Sequence, residues 1–239
     1  MKNATTSMTA MRAATLALAI AGAGCASVLS FEGVRPMKAN ALAVSLEPSA
    51  IGTTAYQGGN EQLYAAACVR YGVTDDITVG LRAGYNTRPE LLARFQLLRP
   101  DQGLLSLALV PTLGALYTPD AFGDSVRAYS QSTVVLGIGD DWLVSPVMTV
   151  KLDVTGGVSL ASGGESSSPT RAGKVAVALT PIATLGAVVR VTDWLALLPE
   201  IGGGFGSLYA GHGGPLLSQG AVYQAGLGVL IGGERGFSL

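Results

Sequence analysis

The stretch that most constrains the fold is residues 61–86, EQLYAAACVRYGVTDDITVGLRAGYN, in which two residue types alternate. Apolar residues such as Leu63 and Val69 share one face of its first half, and Arg70 lies on the other face with further polar and small residues. This period of two is the pattern of a β-strand. A polar turn at residues 72–76 separates the halves, so the stretch predicts a hairpin with arms about ten residues long.

The same pattern recurs along the chain and predicts ten strands, with short turns and longer loops between them in alternation. An even number of strands with both ends on the short-turn side is what a closed antiparallel barrel requires. Eight strands is the alternative, because the first strand and the arm after Tyr85 have the weakest pattern. The predicted strands lie near residues 40–56, 61–72, 77–86, 91–99, 105–115, 125–138, 148–159, 174–191, 194–208 and 220–231.

The composition indicates which solvent such a barrel meets. Charged residues make up 13% of the 239 residues, and the mean hydropathy is +0.42. After the N-terminal region, no apolar run reaches the roughly 18 residues that a membrane-spanning helix needs. Excess apolar surface without such helices indicates spanning strands. We therefore expect an all-β fold, an antiparallel up-and-down transmembrane β-barrel with its apolar face outward.

The N-terminus has the pattern of an export signal. Lys2 and Arg12 precede a short apolar run at residues 13–23 that ends in small residues, which is typical of a secretory signal peptide. The tetrad ending at Cys25 looks like a bacterial lipoprotein signal, which implies that Cys25 carries lipid. The alternative is ordinary cleavage nearby, which leaves Cys25 able to form a disulfide with Cys68 in an oxidising compartment.

These patterns divide the chain into four parts. The predicted parts are a signal peptide at residues 1–24, an N-terminal linker at 25–38, the barrel at 39–232 and a C-terminal tail at 233–239.

Aromatic residues fall near the predicted strand ends. Trp142 and Trp194 begin strands after aspartate-containing short turns, while Tyr85 and Tyr117 lie near loop ends. Such rings favour the membrane interface. With the repeated hairpins and the export signal, they make the chain resemble the Gram-negative outer-membrane β-barrel proteins, in particular small porin-like barrels. The resemblance implies an outer-membrane location, with membrane lipid and the barrel assembly machinery as partners. The chain departs from it at Phe237, because these barrels usually end on an aromatic residue.

Charged residues occupy the predicted lumen face of several strands. An excess of guanidinium groups there would attract a small anionic solute. The alternative is that the charges pair with lumen acids and water and fill the interior. The predicted lumen charges are Arg70, Arg82, Arg94, Arg127, Lys151, Asp153, Arg190 and Glu200, with Glu47 and Lys174 at the same face or rim.

Catalytic and metal-binding patterns are weak. The single histidine, His212, lies in a predicted loop, and Ser207 or Ser218 could supply a partner, but nothing in the spacing defines their geometry. One histidine and two separated cysteines do not make a metal-ligand set. With 15 basic and 16 acidic residues, nucleic acid is not an expected partner. We expect no enzyme activity and no cofactor.

Two functions remain for this chain. The first is a non-catalytic outer-membrane barrel with a structural or narrow-pore role. The alternative is a soluble, lipid-anchored β-barrel or sandwich that binds an apolar ligand in the periplasm. The two hypotheses predict opposite orientations of the strand faces, because a membrane barrel has its apolar face outward and a soluble barrel has it inward.

Overall fold

The strands form a closed barrel. The computed structural model describes residues 29–53, 62–85, 87–118, 125–139, 142–159, 175–210 and 220–238. In these ranges ten long strands pair antiparallel in chain order, and the tenth pairs with the first. The predicted fold class and the strand number of ten are confirmed. The strands are β1 Ala41–Thr53, β2 Gln62–Gly72, β3 Ile77–Tyr85, β4 Thr87–Leu98, β5 Leu105–Thr118, β6 Ser125–Ile138, β7 Val144–Ser159, β8 Val175–Thr192, β9 Leu195–Ala210 and β10 Gly220–Ile231.

Two short elements complete the secondary structure. A 3₁₀ turn at Pro100–Gln102 joins β4 to β5, and the two-residue strand β11, Phe237–Ser238, pairs with the start of β1. Within the described ranges, no helix is long and apolar enough to cross a membrane.

The two ends of the barrel differ in their connections. At one end, here the short-turn end, brief turns join β2 to β3, β4 to β5, β6 to β7 and β8 to β9. In the first of these turns, the Thr74 hydroxyl accepts hydrogen bonds from the backbone amides of Asp76 at 3.2 Å and Ile77 at 3.0 Å. Such side-chain bonds make threonine and aspartate favourable in tight turns. We name the opposite end the loop end.

β4 begins earlier than its sequence pattern predicted. It starts at Thr87, directly after the end of β3, whereas the prediction placed its start near residue 91. The polar stretch at residues 87–90 looks like a loop in isolation. Thr87 to Glu90 nevertheless belong to the strand, and Glu90 lies in the lumen with its carboxylate 3.0 Å from Arg82.

The outer face of the barrel is apolar on every strand. Large side chains point outward and are well exposed, among them Leu63 at 73% and Phe205 at 70%. Arg82 and Lys151 are in contrast only 5% and 3% exposed, inside the barrel. This arrangement suits a hydrocarbon solvent and is the reverse of what the soluble, ligand-binding alternative requires.

The lumen contains a segment of the chain itself. Residues 29–38, which we name the inner segment, enter at the short-turn end, where the Asn40 amide bonds to the Gly72 carbonyl at 2.8 Å. Leu29, Phe31 and Val34 are almost fully buried among lumen side chains. The sequence indicated a linker here, because Pro36 interrupts any period. The structure instead places residues 29–34 inside the barrel and the exposed Lys38 at its rim.

The C-terminal tail closes the short-turn end. Residues 232–235 form a turn, and the backbone amide of Gly232 bonds to the Trp194 carbonyl at 2.8 Å. Glu234 points into the lumen and is 7% exposed. Phe237 follows in β11, opposite Leu42 of β1, and is 47% exposed. The aromatic residue near the C-terminus therefore belongs to the barrel wall.

Candidate functional site in the lumen

The inner segment lies between two chemically different walls. The charged wall is built by β1 to β4 and carries three arginines and two glutamates. The apolar wall is built mainly by β6 to β10, where valine, leucine and alanine are buried around Leu29, Phe31 and Val34. Leu29 and Phe31 alternate with Ser30 and Glu32, so the segment presents one apolar and one polar side, as a strand does.

Glu32 is the charged group of the inner segment that meets the charged wall. Its carboxylate lies 3.0 Å from Arg94 Nη1 and 3.4 Å from Arg70 Nη2. The same guanidinium groups also donate to the backbone, Arg94 to the Gly33 carbonyl at 2.8 Å and Arg70 to the Phe31 carbonyl at 3.2 Å. Each arginine thus binds both the carboxylate and a peptide carbonyl, which compensates its burial.

Arg82 links the inner segment to two strands of the charged wall. Its guanidinium lies 2.8 Å from the Glu47 carboxylate and 3.0 Å from that of Glu90. It also donates to the Ser30 carbonyl at 2.8 Å. The two glutamates balance its charge, so the contact with the inner segment adds a hydrogen bond without an uncompensated ion.

Glu200, a residue of β9, binds the backbone of the inner segment. Its carboxylate accepts hydrogen bonds from the backbone amides of Ser30, at 3.0 Å, and Phe31, at 2.6 Å. The Thr184 hydroxyl donates to the same carboxylate. On β7, Lys151 donates to the Leu29 carbonyl at 3.1 Å. Backbone donors and acceptors of the segment therefore find charged partners where no neighbouring strand pairs with it.

Glu234 holds the lower part of the inner segment from the C-terminal tail. One carboxylate oxygen accepts from the amides of Val34, at 2.5 Å, and Arg35, at 2.9 Å. The other lies 2.6 Å from Arg190 Nη2, and Arg190 in turn donates to the Trp142 carbonyl. A chain of contacts therefore connects the tail, the inner segment and the turn between β6 and β7.

Glycines on the apolar wall make room for the inner segment. A Cβ atom at Gly228 would lie 2.8 Å from Phe31 Cδ1, and one at Gly226 would lie 2.8 Å from Phe31 Cζ. At Gly137 the added atom would lie 2.9 Å from Val34 Cγ1. Real Cβ atoms do not approach other atoms so closely, so the absence of a side chain at these positions lets the segment pack.

The two cavities described beside the inner segment are small. One described cavity, next to Glu32 and Arg94, has a volume of about 20 Å³, and another, next to Ser30 and Lys151, has about 10 Å³. A void of roughly 10–15 Å³ holds about one water molecule. These cavities are too small for an organic solute.

A larger cleft lies outside the lumen, at the rim of the short-turn end. Its volume is about 410 Å³, and its lining includes Arg35, Lys38, Arg99 and Arg235. Near it, Arg99 Nε lies 2.7 Å from Asp76 Oδ1. This hydrogen bond from Arg99 holds the pKa of the Asp76 carboxyl below its ordinary value.

The structure brings most of the sequence-predicted lumen charges together. Arg70, Arg82 and Arg94 form the charged wall, while Lys151 and Glu200 face them across the inner segment. Asp153 accepts from Gln131 Nε2 at 3.2 Å. Arg190 lies near the short-turn end. The side chain of Arg127 lies outside the described residues, as do Lys174, His212 and Cys25.

The predicted interface aromatics lie at the barrel ends. Trp142 and Trp194 are about half exposed, at 48% and 51%, at the short-turn end, and Tyr85 is 57% exposed at the loop end of β3. The side chain of Tyr117 lies outside the described residues. Cys68 is buried on the lumen face of β2, and the lipid on Cys25 and its alternative disulfide with Cys68 both stay predictions.

Sequence reasoning missed three acids that organise the site, Glu32, Glu90 and Glu234. A signal for Glu32 exists in the alternation Leu29-Ser30-Phe31-Glu32, although four residues are too few to separate from chance. Glu90 follows a proline, and Glu234 lies in a glycine-rich tail. Both contexts favour a loop, so these acids carried no local sign of burial.

The fold and its surfaces define the class of protein. A closed antiparallel barrel of ten strands, apolar outside and charged within, is the architecture of the outer-membrane β-barrel proteins of Gram-negative bacteria. The location expected from the sequence, the outer membrane, agrees with this architecture.

Comparisons with known proteins give similar barrels and no family. No protein-family model and no curated protein matches the chain. Among solved structures, it is similar to Neisserial surface protein A, with 10% identity, TM-score 0.42, and 80% of this chain and 96% of that chain covered. It is also similar to the translocator domain of the autotransporter NalP from Neisseria meningitidis, with 12% identity, TM-score 0.40, and 96% of this chain and 97% of that chain covered. A third similar structure is the outer membrane protein OprG from Pseudomonas aeruginosa, with 11% identity, TM-score 0.33, and 82% of this chain and 98% of that chain covered.

Proposed function

We propose that this protein is a structural outer-membrane barrel that is sealed by its own inner segment and has no catalytic role. The observation that carries the proposal is a set of contacts with the inner segment: Arg70, Arg82, Arg94 and Lys151 donate to its carbonyls, Glu200 accepts from its amides, and Arg70 and Arg94 pair with Glu32. Lumen charges that could attract a solute are thereby used to hold the chain itself. These contacts support the hypothesis that the lumen charges are paired and fill the interior. They do not favour the hypothesis of an open path for anions.

The charge balance of the lumen supports a sealed state. Each of the four described lumen arginines, at positions 70, 82, 94 and 190, lies within 3.6 Å of a carboxylate. A permeating anion would have to displace Glu32 from Arg70 and Arg94. Breaking a buried ion pair costs about 3–5 kcal/mol when the partner charge stays buried. A small anionic solute is therefore the less favoured partner.

Two other partners fit the barrel wall. Membrane lipid suits the apolar outer face, in which side chains such as Leu63 and Phe205 are exposed. The barrel assembly machinery is the partner that the resemblance implied. Phe237 in β11, which pairs with β1 where the barrel closes, is the residue of this chain that would serve as its aromatic signal.

The test combines gel mobility with electrical recording. Purified full-length protein should migrate faster when unboiled than when boiled, because a closed barrel leaves no strand edge unpaired and resists detergent. The same preparation in a planar bilayer should insert without steady ion conductance. A stable open-channel current from heat-modifiable protein would overturn the sealed barrel, and identical mobility before and after boiling would overturn the membrane barrel.

A further inference from the structure

The cleft at the rim of the short-turn end is large enough for a small molecule. Its volume of about 410 Å³ lies within the roughly 300–1,000 Å³ of ordinary ligand pockets. Its lining comes from residues 35–39, from the short turns after β2 and β4, and from the C-terminal tail. The cleft therefore forms only where these separate parts of the chain meet in the folded barrel.

Hydrogen bonds join the walls of the cleft to one another. The Lys38 amide donates to the Arg235 carbonyl at 3.1 Å, which joins the end of the inner segment to the C-terminal tail. The Ala39 amide donates to Asp75 Oδ1 at 2.9 Å, which joins the same stretch to the turn after β2. The walls are thus formed before a ligand arrives, so little conformational entropy is lost on binding.

Positive charge is in excess around the cleft. Four cationic side chains and two acidic ones line it, and the excess remains when the neighbouring Asp76 is counted against Arg99, its partner at 2.7 Å. Lys38 and Arg235 are exposed, and neither side chain forms an ion pair with any residue that the structure describes. Their adjacent backbones place two cations without an acidic partner on the same side of the cleft.

We propose that this cleft binds the phosphate group of a small ligand. Lysine and arginine donors that come from different walls suit the several oxygens of a phosphate better than the planar pair of oxygens in a carboxylate. The site lies outside the sealed lumen, so the ligand reaches it without displacing the inner segment. The inference goes beyond the structural barrel proposed above, because it assigns that barrel a ligand.

The position of the cleft in the cell rests on the proposed outer-membrane barrel, in which the short turns face the periplasm. Trp142 and Trp194, the predicted interface residues, lie at the same end of the barrel, and aromatic residues of this kind occupy the headgroup level of a membrane. The phosphate group can therefore come from a lipid headgroup of the periplasmic leaflet or from a soluble compound of the periplasm.

The first experiment measures binding by calorimetry to full-length protein in a non-ionic detergent. The probes are inorganic phosphate, dihexanoyl phosphatidylglycerol and the dicarboxylate succinate. Low ionic strength is used, because salt screens exposed charges. We expect saturable binding of a phosphate probe and about tenfold weaker binding of succinate, since the loss of one charge-assisted hydrogen bond is worth about this factor.

The second experiment repeats the titration with Lys38→Gln, Arg235→Gln and the double variant. The hydrogen bond between these two residues runs through the backbone, so the substitutions leave the joined walls in place. Each single change should weaken binding about tenfold. The matched control is Arg88→Gln, the same change in the second residue of β4, at the loop end, which should leave the affinity unchanged. Heat-modifiable mobility is measured on every variant.

The outcomes separate the source of the phosphate and separate the cleft from the barrel. Binding of phosphatidylglycerol alone supports a lipid headgroup, binding of inorganic phosphate alone supports a soluble ligand, and binding of both shows that the phosphate group suffices. The cleft site is overturned, and the barrel left intact, if heat-modifiable protein binds neither phosphate probe, binds succinate equally well, or keeps its affinity in the double variant. Loss of heat-modifiable mobility in the unchanged chain overturns the barrel, and with it the cleft that its turns form.

Discussion

Glu32 Oε2 lies 3.0 Å from Arg94 Nη1, although the two residues are 62 positions apart in the chain. The pair is buried, with side chains 4% and 6% exposed. It joins a segment without regular secondary structure to the wall of a closed barrel. The position of the inner segment therefore depends on charges that meet only after the barrel has formed.

Replacing Glu32 by glutamine should weaken the hold of the lumen on the inner segment. Glu32→Gln keeps the shape of the side chain but leaves Arg94 and Arg70 with less negative charge around them. Losing one partner of a buried ion pair costs about 3–5 kcal/mol. We expect the unboiled band to convert to the slow form at a lower temperature, and discrete current events to appear in planar bilayers.

The matched control for this variant is Asp101→Asn, which makes the same chemical change at an exposed acid outside the lumen. Its conversion temperature should equal that of the unchanged protein. A Glu32→Gln protein with unchanged conversion temperature and no current would contradict the role of the ion pair.

Truncating Phe31 should leave a cavity against the apolar wall. Phe31 is 2% exposed, and Phe→Ala changes in a packed core cost about 3–5 kcal/mol. The cost arises from lost contacts with the lumen around Gly226 and Gly228. We expect Phe31→Ala to increase cleavage within the inner segment when detergent-solubilised protein is digested by a protease, as measured by mass spectrometry.

Phe205→Ala is the control, because Phe205 is 70% exposed on the outer face and does not contact the lumen. Its digestion pattern should match that of the unchanged protein. Equal protection of the inner segment in both variants would show that Phe31 packing does not retain the segment.

Adding one methyl group at Gly228 should displace Phe31 from the apolar wall. In Gly228→Ala the new atom would lie 2.8 Å from Phe31 Cδ1 and 3.0 Å from Leu198 Cβ, so the ring must shift. Overpacking of this kind costs about 1–3 kcal/mol. The expected results are a lower conversion temperature on gels and increased protease cleavage within the inner segment.

The comparison for this variant is Gly203→Ala, on the neighbouring strand β9. There the added atom meets the Val222 backbone oxygen at 3.0 Å and no side chain of the inner segment. Gly203→Ala should leave the protease protection of the inner segment unchanged. If Gly203→Ala exposes the segment as much as Gly228→Ala does, general strain in the wall explains the effect.

The pair of Asp76 and Arg99 should give a small pH dependence at the short-turn end. The hydrogen bond from Arg99 lowers the pKa of Asp76 in the folded protein. Its contribution to stability is therefore present above the unfolded-state pKa, and is lost as the pH falls through the lower folded-state pKa. Because the pair is exposed to solvent, the effect is modest.

The measurement is the thermal conversion temperature of the unchanged protein and of Asp76→Asn across an acid-to-neutral series. The unchanged protein should be the more stable at neutral pH, and the difference should vanish at acid pH. Arg99→Gln should behave like Asp76→Asn. A difference that stays constant across the series would exclude titration of this pair as its cause.

Much of the barrel was predictable because strand periodicity is local. The alternation through residues 61–86 placed Arg70 and Arg82 on one face and Leu63 on the other, and the structure has the same faces. The register of β7 was equally clear from the sequence, because a shift by one residue would make the Lys151 side chain face the lipid. The start of β4 was missed, because its polar residue Glu90 is stabilised by Arg82 on the neighbouring strand.

The sequence by itself determined the antiparallel strands and their faces and favoured ten strands over eight, because alternation along a strand depends only on neighbouring residues and on the contrast between lipid and lumen. Only the tertiary structure decided what fills the barrel. The partners of the inner segment come from β2, β3, β4, β7, β9 and the C-terminal tail, up to 200 residues away. The inner segment has no neighbouring strand to pair with in the described ranges. It is held because closure of the barrel brings charged side chains from these strands around its backbone.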